Sequence, residues 1–251
     1  MGRPHHHGDR SQRTETDRGV SEVVAFVLVF AIIIGSVGVL YMTGFQSMTS
    51  YQEGEQLRNA ERAMSALTEN FNDIQRNGAI EERSGELALR DGRVGVSANG
   101  TTLGISIDGT EVENVSTGTI TYQRGSSIIA SEGGGVFRGV DGEPTQSVVL
   151  DQPKITCNED GGTALISLLV IDSDVEERSI AGSDGVELSA IQSDTHSKTY
   201  SVGSGDDVNI SVSDSEYTNG WEQVLDRNGW SDGECDVSRV TVRIVTVDVE
   251  L

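Results

Sequence analysis

The sequence contains little lysine, histidine, proline or cysteine. Its 251 residues include four histidines, three prolines and two cysteines, and only Lys154 and Lys198 are lysines. Acidic residues outnumber basic residues by 40 to 18, which gives a formal charge of −22. Because nucleic-acid binding depends on clustered positive charge, this composition argues against nucleic acid as a partner.

The scarcity of histidine limits the catalytic chemistry that the chain can perform. His5, His6 and His7 lie in the first 19 residues, and His196 stands alone in a predicted exposed loop. A histidine-based zinc site needs more than one such ligand, and a Ser-His-Asp triad would have only His196 and no Gly-x-Ser-x-Gly turn. We therefore expect no catalytic residue, no metal site and no cofactor. Carboxylate chemistry on a membrane-tethered enzyme is the least favoured alternative.

Three other patterns have a functional and a plain interpretation. The acidic run 172–177 lacks the glycine of an EF-hand loop, so we interpret it as solvated surface instead of a calcium site. Gly133-Gly134-Gly135 and Gly203-Ser204-Gly205 precede no Lys-Ser/Thr pair, so they are predicted to be turns and not phosphate loops. Trp221 and Trp230 are predicted to pack in the core, with a binding surface as the alternative.

One long apolar run dominates the N-terminal part of the chain. Residues 23–43 carry no charge, and thirteen of them are Val, Ile, Leu or Phe. At about 1.5 Å per residue, this run spans roughly 30 Å, the thickness of the hydrocarbon core of a bilayer. It is longer than the apolar core of a secretory signal, and no A-x-A site follows it. We predict a single membrane span near the N-terminus.

The residues before the span predict its orientation. Four arginines lie within residues 1–19, namely Arg3, Arg10, Arg13 and Arg18. Positive charge on the N-terminal flank favours a cytoplasmic N-terminus and an extracellular C-terminal domain.

The junction Arg18-Gly19-Val20-Ser21 ahead of the apolar run resembles that of archaeal type IV pilin-like proteins, most closely the haloarchaeal ones. The resemblance covers about residues 18–45. It implies that a prepilin-type peptidase cuts between Gly19 and Val20, which removes residues 1–19 as a cleavable charged leader. It also implies that the N-terminal helix lies in the membrane. There it would associate with the same helix of other copies.

The position of Glu22 differs from the pattern of that family. Pilins typically carry a glutamate as the fifth mature residue, whereas Glu22 would be the third. The resemblance implies that this carboxylate pairs with the free amine of a neighbouring subunit; the alternative is an interfacial charge that suits the start of a helix. Ala31, Gly35 and Gly38 are candidates for close helix packing in lipid, or simply small residues that membrane helices tolerate.

The acidic, lysine-poor composition also resembles that of proteins from extreme halophiles, in which salt screens the repulsion between like charges.

A second helical pattern follows the span. Apolar residues recur at alternating spacings of three and four, which is the pattern of an amphipathic helix: Leu57, Ala60, Met64, Leu67, Phe71 and Ile74. Asn77-Gly78 is the predicted end of this helix. The domain prediction is therefore a transmembrane and amphipathic stalk helix over 20–78. Its apolar stripe would pack on the following domain, on neighbouring copies, or on both.

From residue 79 to residue 251 the pattern predicts an external β-rich head domain. Period-two alternation and turn dipeptides recur, with Asp91-Gly92, Asn99-Gly100 and Asp108-Gly109 as hairpin signals. The run 164–172 is the most apolar and predicts a buried central strand, and 215–227 predicts one late helix. The expected fold class is α+β: a long membrane-spanning helix, then an antiparallel β-sandwich-like head.

Cys157 and Cys235 would both lie outside the cytoplasm, where they could form a disulfide; two unpaired buried thiols are the alternative. Three Asn-x-Ser/Thr sequons offer possible N-glycosylation at Asn99, Asn114 and Asn209.

Together these patterns predict a single-pass, pilin-like surface protein of structural or adhesive function and not an enzyme. The alternative is a membrane-anchored binding module that does not assemble.

Overall fold

The computed structural model describes residues 13–76, 78–172 and 177–251. Contacts between residues divide the chain into two compact units, Met1–Glu55 and Gln56–Leu251. The predicted boundary between stalk and head lay near residue 78. The division after Glu55 places residues 56–76, the amphipathic part of the predicted stalk, in the same unit as the sheets.

Helix α1 extends from Arg13 to Arg76. It contains the predicted span, the amphipathic segment and residues 13–19 of the predicted leader, of which residues 1–12 lie outside the described residues. Asn77, the first residue of the predicted stop signal, also lies outside them, and Gly78 is in a turn. The second helix, α2, extends from Thr218 to Arg227.

The remaining elements are strands. Their bounds are β1 Glu82–Ala88, β2 Gly92–Ser97, β3 Thr102–Ile107, β4 Thr110–Ser116, β5 Thr119–Arg124, β6 Ser127–Glu132, β7 Gly135–Val140, β8 Glu143–Asp151, β9 Lys154–Asn158, β10 Thr163–Asp172, β11 Glu177–Gly182, β12 Gly185–Ser201, β13 Val208–Ser213, β14 Glu234–Cys235 and β15 Arg239–Glu250.

These strands form three sheets among the described residues. The first has the order β1-β12-β15-β10-β9, the second β11-β2-β5-β6-β7-β8, and the third β14-β13-β3-β4. Every named strand pair is antiparallel except β10 with β15, which is parallel. The predicted α+β class, with an N-terminal apolar helix, mostly antiparallel sheets and one late helix, is confirmed.

Two buried apolar clusters hold the sheets together. One contains Trp221 and Trp230 with side chains from α2 and several strands. The other contains the stripe of α1 together with one face of β10 and β15. The stripe residues Ala60, Met64, Leu67, Phe71 and Ile74 are all buried. The amphipathic pattern after residue 56 therefore reflects packing of α1 on its own sheets.

The hairpin signals have different outcomes. Asp108-Gly109 joins β3 to β4 in a hairpin, with positive φ at both residues. Asp91-Gly92 and Asn99-Gly100 do not form hairpins, because each lies between strands of different sheets. At those two positions a turn dipeptide marks a crossover, since local sequence specifies the turn but not the partner of the next strand.

Strand β12 corrects another part of the prediction. His196 is predicted to lie in an exposed loop, but it lies in β12, which is one strand with a register shift between Gln192 and Asp194. His196 pairs with Ile244 inside this strand. The polar residues that suggested a loop lie on an exposed stretch of the strand.

Candidate functional site

The first candidate site is the apolar segment of α1. The segment Ser21–Gly44 contains an 18-residue stretch with a mean hydropathy of 3.0, and none of that stretch is buried. The side chains of Phe26, Leu40 and Tyr41 are each more than 65% exposed. A surface this apolar and this exposed is unfavourable in water. Its length and composition are those of a single membrane span or of a signal sequence.

Two hydroxyl groups in this segment are satisfied within the helix. Ser36 Oγ donates to the carbonyl oxygen of Ile33 at 2.8 Å, and Thr43 Oγ1 donates to that of Val39 at 2.9 Å. A polar group in hydrocarbon must find a partner within the protein, and these contacts supply one. The segment can therefore enter lipid without an unpaired hydroxyl group at either position.

The assembly candidates lie on this exposed helix. Glu22 and Ala31 are exposed, and a Cβ added at Gly35 or Gly38 would meet no atom within 4 Å. Residues 18–20 have a helical backbone, and their side chains lie outside the described ones. Space for a neighbouring helix is therefore present at both glycines.

After residue 56, polar contacts add to the apolar packing of α1. Thr68 Oγ1 donates to Ser131 Oγ at 2.9 Å, and Arg138 Nη1 pairs with Glu61 at 2.8 Å. Asn72 contacts the turn between β6 and β7. These contacts fix one face of the helix on β6 and β7, so this part of α1 has no free apolar stripe for a partner.

The second candidate site is a polar cavity of about 640 Å³. Its walls come from strands β2, β3, β4, β5, β6 and β11 and from the segment before α2. The polar lining side chains are hydroxyls, amides and carboxylates, and none is basic: Ser97, Asn99, Thr102, Ser116, Thr119, Thr121, Gln123, Glu132, Glu177, Asp214, Glu216 and Tyr217.

Glu132 is the buried carboxyl group of this cavity. Thr101 Oγ1 donates to it at 2.6 Å, and Trp221 Nε1 donates at 3.4 Å. Burial raises the pKa of Glu132 to about 7, although the hydrogen bonds from Thr101 and Trp221 act in the opposite direction. Near neutral pH, the neutral and ionised forms of this carboxyl group are therefore both populated.

Tyr217 lines the cavity and belongs to a group of three aromatic rings beside it. Phe137 lies between Tyr217 and Trp221, with ring centroids 5.9 Å and 5.0 Å away. Burial and the nearby Glu132 raise the pKa of Tyr217. Trp221 and Trp230 are both buried, as the core interpretation predicted. Trp221 also donates to Glu132, a polar role that sequence alone did not indicate.

The two cysteines are joined. Cys157 on β9 and Cys235 on β14 form a disulfide with an S–S distance of 2.04 Å. The bond connects the first sheet to the third, across 78 positions of sequence.

The three sequons differ in accessibility. Asn99 and Asn114 are exposed, and Asn209 is half-buried in β13. Thr101, the third residue of the first sequon, is buried and donates to Glu132. Only the sequon at Asn114 has both its asparagine and its hydroxyl residue, Ser116, exposed.

The structure describes the other candidates only in part. Of the acidic run 172–177, residues 173–176 lie outside the described residues. Over the described ranges, no group of three or more His, Cys, Asp or Glu side chains could hold a metal ion. His196 Nε2 lies 3.2 Å from Glu113, in an exposed pair. The glycine segments 133–135 and 203–205 form turns.

Sequence reasoning missed Glu132 and its cavity. Glu132 follows an apolar stretch in β6 and precedes three glycines, which is a weak signal for a buried acid in so acidic a chain. The residues that surround it come from distant parts of the sequence, so only the folded structure brings them together.

A family model matches residues 18–251, nearly the whole chain. The protein therefore belongs to the family DUF7289, which is described as a family of unknown function. No curated protein and no solved structure matches the chain.

Proposed function

We propose that this protein is a pilin-like, single-span surface protein that is anchored, and assembled, through its N-terminal apolar helix. The observation that carries the proposal is the contrast within α1. Its apolar stripe after residue 56 is covered by the sheets, whereas Ser21–Gly44 is apolar on all sides and exposed. Lipid and neighbouring apolar helices are the environments that suit such a surface.

The junction before the span supports processing by a prepilin-type peptidase. The family match begins at residue 18, so it includes Arg18-Gly19-Val20 and leaves most of the charged leader outside. Cleavage after Gly19 would place Val20 at the N-terminus and Glu22 near it.

The proposed mechanism of assembly is lateral packing of the apolar helices. Gly35 and Gly38 allow the backbones of two helices to approach closely, and Glu22 can pair with the free amine of a neighbouring subunit. The β-rich domain then faces the exterior, where it meets the medium or another surface. This function is structural or adhesive and requires no catalytic residue.

The decisive experiment is to identify the N-terminal residue of the protein recovered from membranes of its native host. We expect Val20 in the wild type and in a Gly44→Leu control, and an intact leader in Gly19→Leu. An intact leader in the wild type would overturn the processing step and leave an uncleaved anchor.

Assembly needs its own test, because processing alone does not establish it. Gly38→Leu should reduce cross-linking between copies in the membrane without reducing membrane insertion, whereas Val37→Leu should leave cross-linking unchanged. Equal cross-linking in both variants would contradict packing through Gly38.

The polar cavity favours a second function, a membrane-anchored binding module that does not assemble. Its volume of about 640 Å³ falls in the range of small-molecule sites. Under this alternative, Gly38→Leu would have no effect on function, and substitutions at Thr121 or Gln123 in the cavity wall would impair it.

A further inference from the structure

Three residues of the first sheet form a row of unusual charge. Lys154 on β9 pairs with Ser167 on β10, and Ser167 pairs with Arg243 on β15. Residues paired across adjacent strands point to the same face of a sheet. Lys154 and Arg243 therefore flank Ser167 on one face, two strand spacings apart, which is roughly 10 Å between their Cα atoms.

This row lies on the face that α1 covers. Side chains alternate along a strand, so Ser167 shares its face with Leu169, and Arg243 shares its face with Val245. Leu169 and Val245 both belong to the apolar cluster that contains Ile74 of α1. The row therefore continues that cluster at the end of the helix where Ile74 lies.

The last turn of α1 adds further donors. Gln75 is 3% exposed, and its Nε2 is buried without a hydrogen-bond partner. Ser167 is 5% exposed, and Arg243 Nε is likewise buried without a partner. Each of these two donors is costly to bury, because a buried N–H group without an acceptor loses the hydrogen bond it made with water.

The surrounding charges do not neutralise this cluster. The pKa of Lys154 is lowered, first by burial and then by the positive charge of Arg76; Arg243 acts in the same direction, while Glu69 and Asp73 oppose it.

Those two carboxylates are paired with other arginines. Glu69 pairs with Arg76, and Asp73 lies 3.5 Å from Arg76 and 3.8 Å from Arg83. Within the part of the chain that the structure describes, Lys154 makes no ion pair within 4.0 Å.

We propose that Lys154, Arg243, Ser167 and Gln75 form a binding site for a small tetrahedral oxyanion, of the phosphate or sulfate class. The anion would accept hydrogen bonds from Lys154 Nζ, Arg243 Nε, Gln75 Nε2 and the Ser167 hydroxyl. This set consists of donors, with two positive charges, and charge-assisted hydrogen bonds of this kind are the strong ones. In a chain of charge −22, two neighbouring cations that make no ion pair with any described acidic residue are best explained by a bound anion.

The test is to titrate the full-length protein in lipid nanodiscs with inorganic phosphate, at ionic strength held constant with chloride. Calorimetry and thermal unfolding report binding. We expect saturable binding and a higher unfolding temperature in the wild type, with sulfate acting similarly. Lys154→Met should weaken phosphate binding by about tenfold or more. Lys198→Met, which removes the other lysine of the chain, should bind as the wild type does.

A second variant tests the same site through stability. Gln75→Glu supplies a carboxylate at the site of the proposed anion, so it should raise the unfolding temperature in chloride and abolish the response to phosphate. This variant decides the question if Lys154→Met does not fold. The proposal is overturned if phosphate and chloride have equal effects on the wild type, if Lys154→Met and Lys198→Met bind phosphate equally, or if Gln75→Glu destabilises the protein.

Discussion

Asn72 and Gly134 are in direct contact: Asn72 Nδ2 on α1 donates a hydrogen bond to the carbonyl oxygen of Gly134, at 2.9 Å, in the turn between β6 and β7. Gly134 has a φ of +85°, and a Cβ added there would lie 2.7 Å from Asn72 Oδ1. Glycine is therefore required twice at this position, for the backbone conformation and for the approach of the helix.

Gly134→Ala should reduce the free energy of unfolding more than an alanine in a comparable open turn does. Gly142 has a φ of +72° and open space around its Cβ position. Gly142→Ala should cost roughly 1 to 2 kcal/mol for backbone strain alone, and Gly134→Ala about 1 kcal/mol more. Denaturant unfolding of both variants measures the difference. Equal losses would mean that Asn72 moves aside freely.

Glu132→Gln should make the protein less sensitive to rising pH. The pKa of Glu132 is raised to about 7 by burial, from an ordinary value of 4.5, so the neutral carboxyl group is favoured in the folded state. Its full contribution to stability is present below pH 4.5 and is lost as pH rises through about 7.

The advantage of the Glu132→Gln variant over the wild type should therefore grow between pH 4 and pH 8, by roughly 3 kcal/mol. Denaturant midpoints across this pH range, at constant salt, provide the measurement. Glu143→Gln, at an exposed position of β8, serves as the control and should follow the wild type at every pH. A constant difference between Glu132→Gln and the wild type would contradict a buried titrating carboxyl group.

Phe71→Ala and Phe26→Ala should have different effects on stability, because the two residues lie in different environments along α1. Phe71 is 1% exposed within the apolar cluster, whereas Phe26 is 71% exposed. Phe71→Ala should lower the free energy of unfolding of the β-rich domain by about 3 to 5 kcal/mol. Phe26→Ala should change it by less than about 0.5 kcal/mol. Circular dichroism during denaturant unfolding in detergent micelles gives both values, and a large loss in Phe26→Ala would mean that this ring has a protein partner.

The replacement of both Cys157 and Cys235 by alanine should destabilise the β-rich domain. A crosslink across 78 positions restricts the unfolded chain strongly, so its loss should cost about 2 to 5 kcal/mol.

The same cysteines report orientation. If the domain lies outside the cytoplasm, the disulfide should protect both cysteines from an alkylating reagent that is added to intact cells. After reduction, the same reagent should modify both cysteines. Two reactive thiols before reduction would indicate a reducing compartment and an inverted orientation.

Local patterns predicted the helices well, because each pattern lies within one continuous segment of the sequence. The stripe from Ala60 to Ile74 and the uncharged run 23–43 each specify a helix and its environment through spacing and composition alone. Strand partners were less predictable. Asp108-Gly109 forms its hairpin, but Asp91-Gly92 does not, because β1 pairs with β12 about a hundred positions later in the sequence.

The candidate sites also differ in whether they depend on local sequence or on tertiary packing. The apolar helix was visible in the sequence, whereas the Glu132 cavity and the row of Lys154, Ser167 and Arg243 were not. Lys154 and Arg243 lie in separate strands, and they come together only because β10 pairs with one neighbour in the antiparallel and the other in the parallel direction. That arrangement depends on tertiary packing and has no local signature.

The parallel pairing of β10 with β15 has a consequence for biosynthesis. Strand β15 is translated after every other described strand, yet it occupies the centre of the first sheet, between β12 and β10. The ribosome must therefore release this segment before the sheet can close. Until then β10 and β12 each lack a neighbour, so the first sheet stays incomplete until synthesis has passed β15.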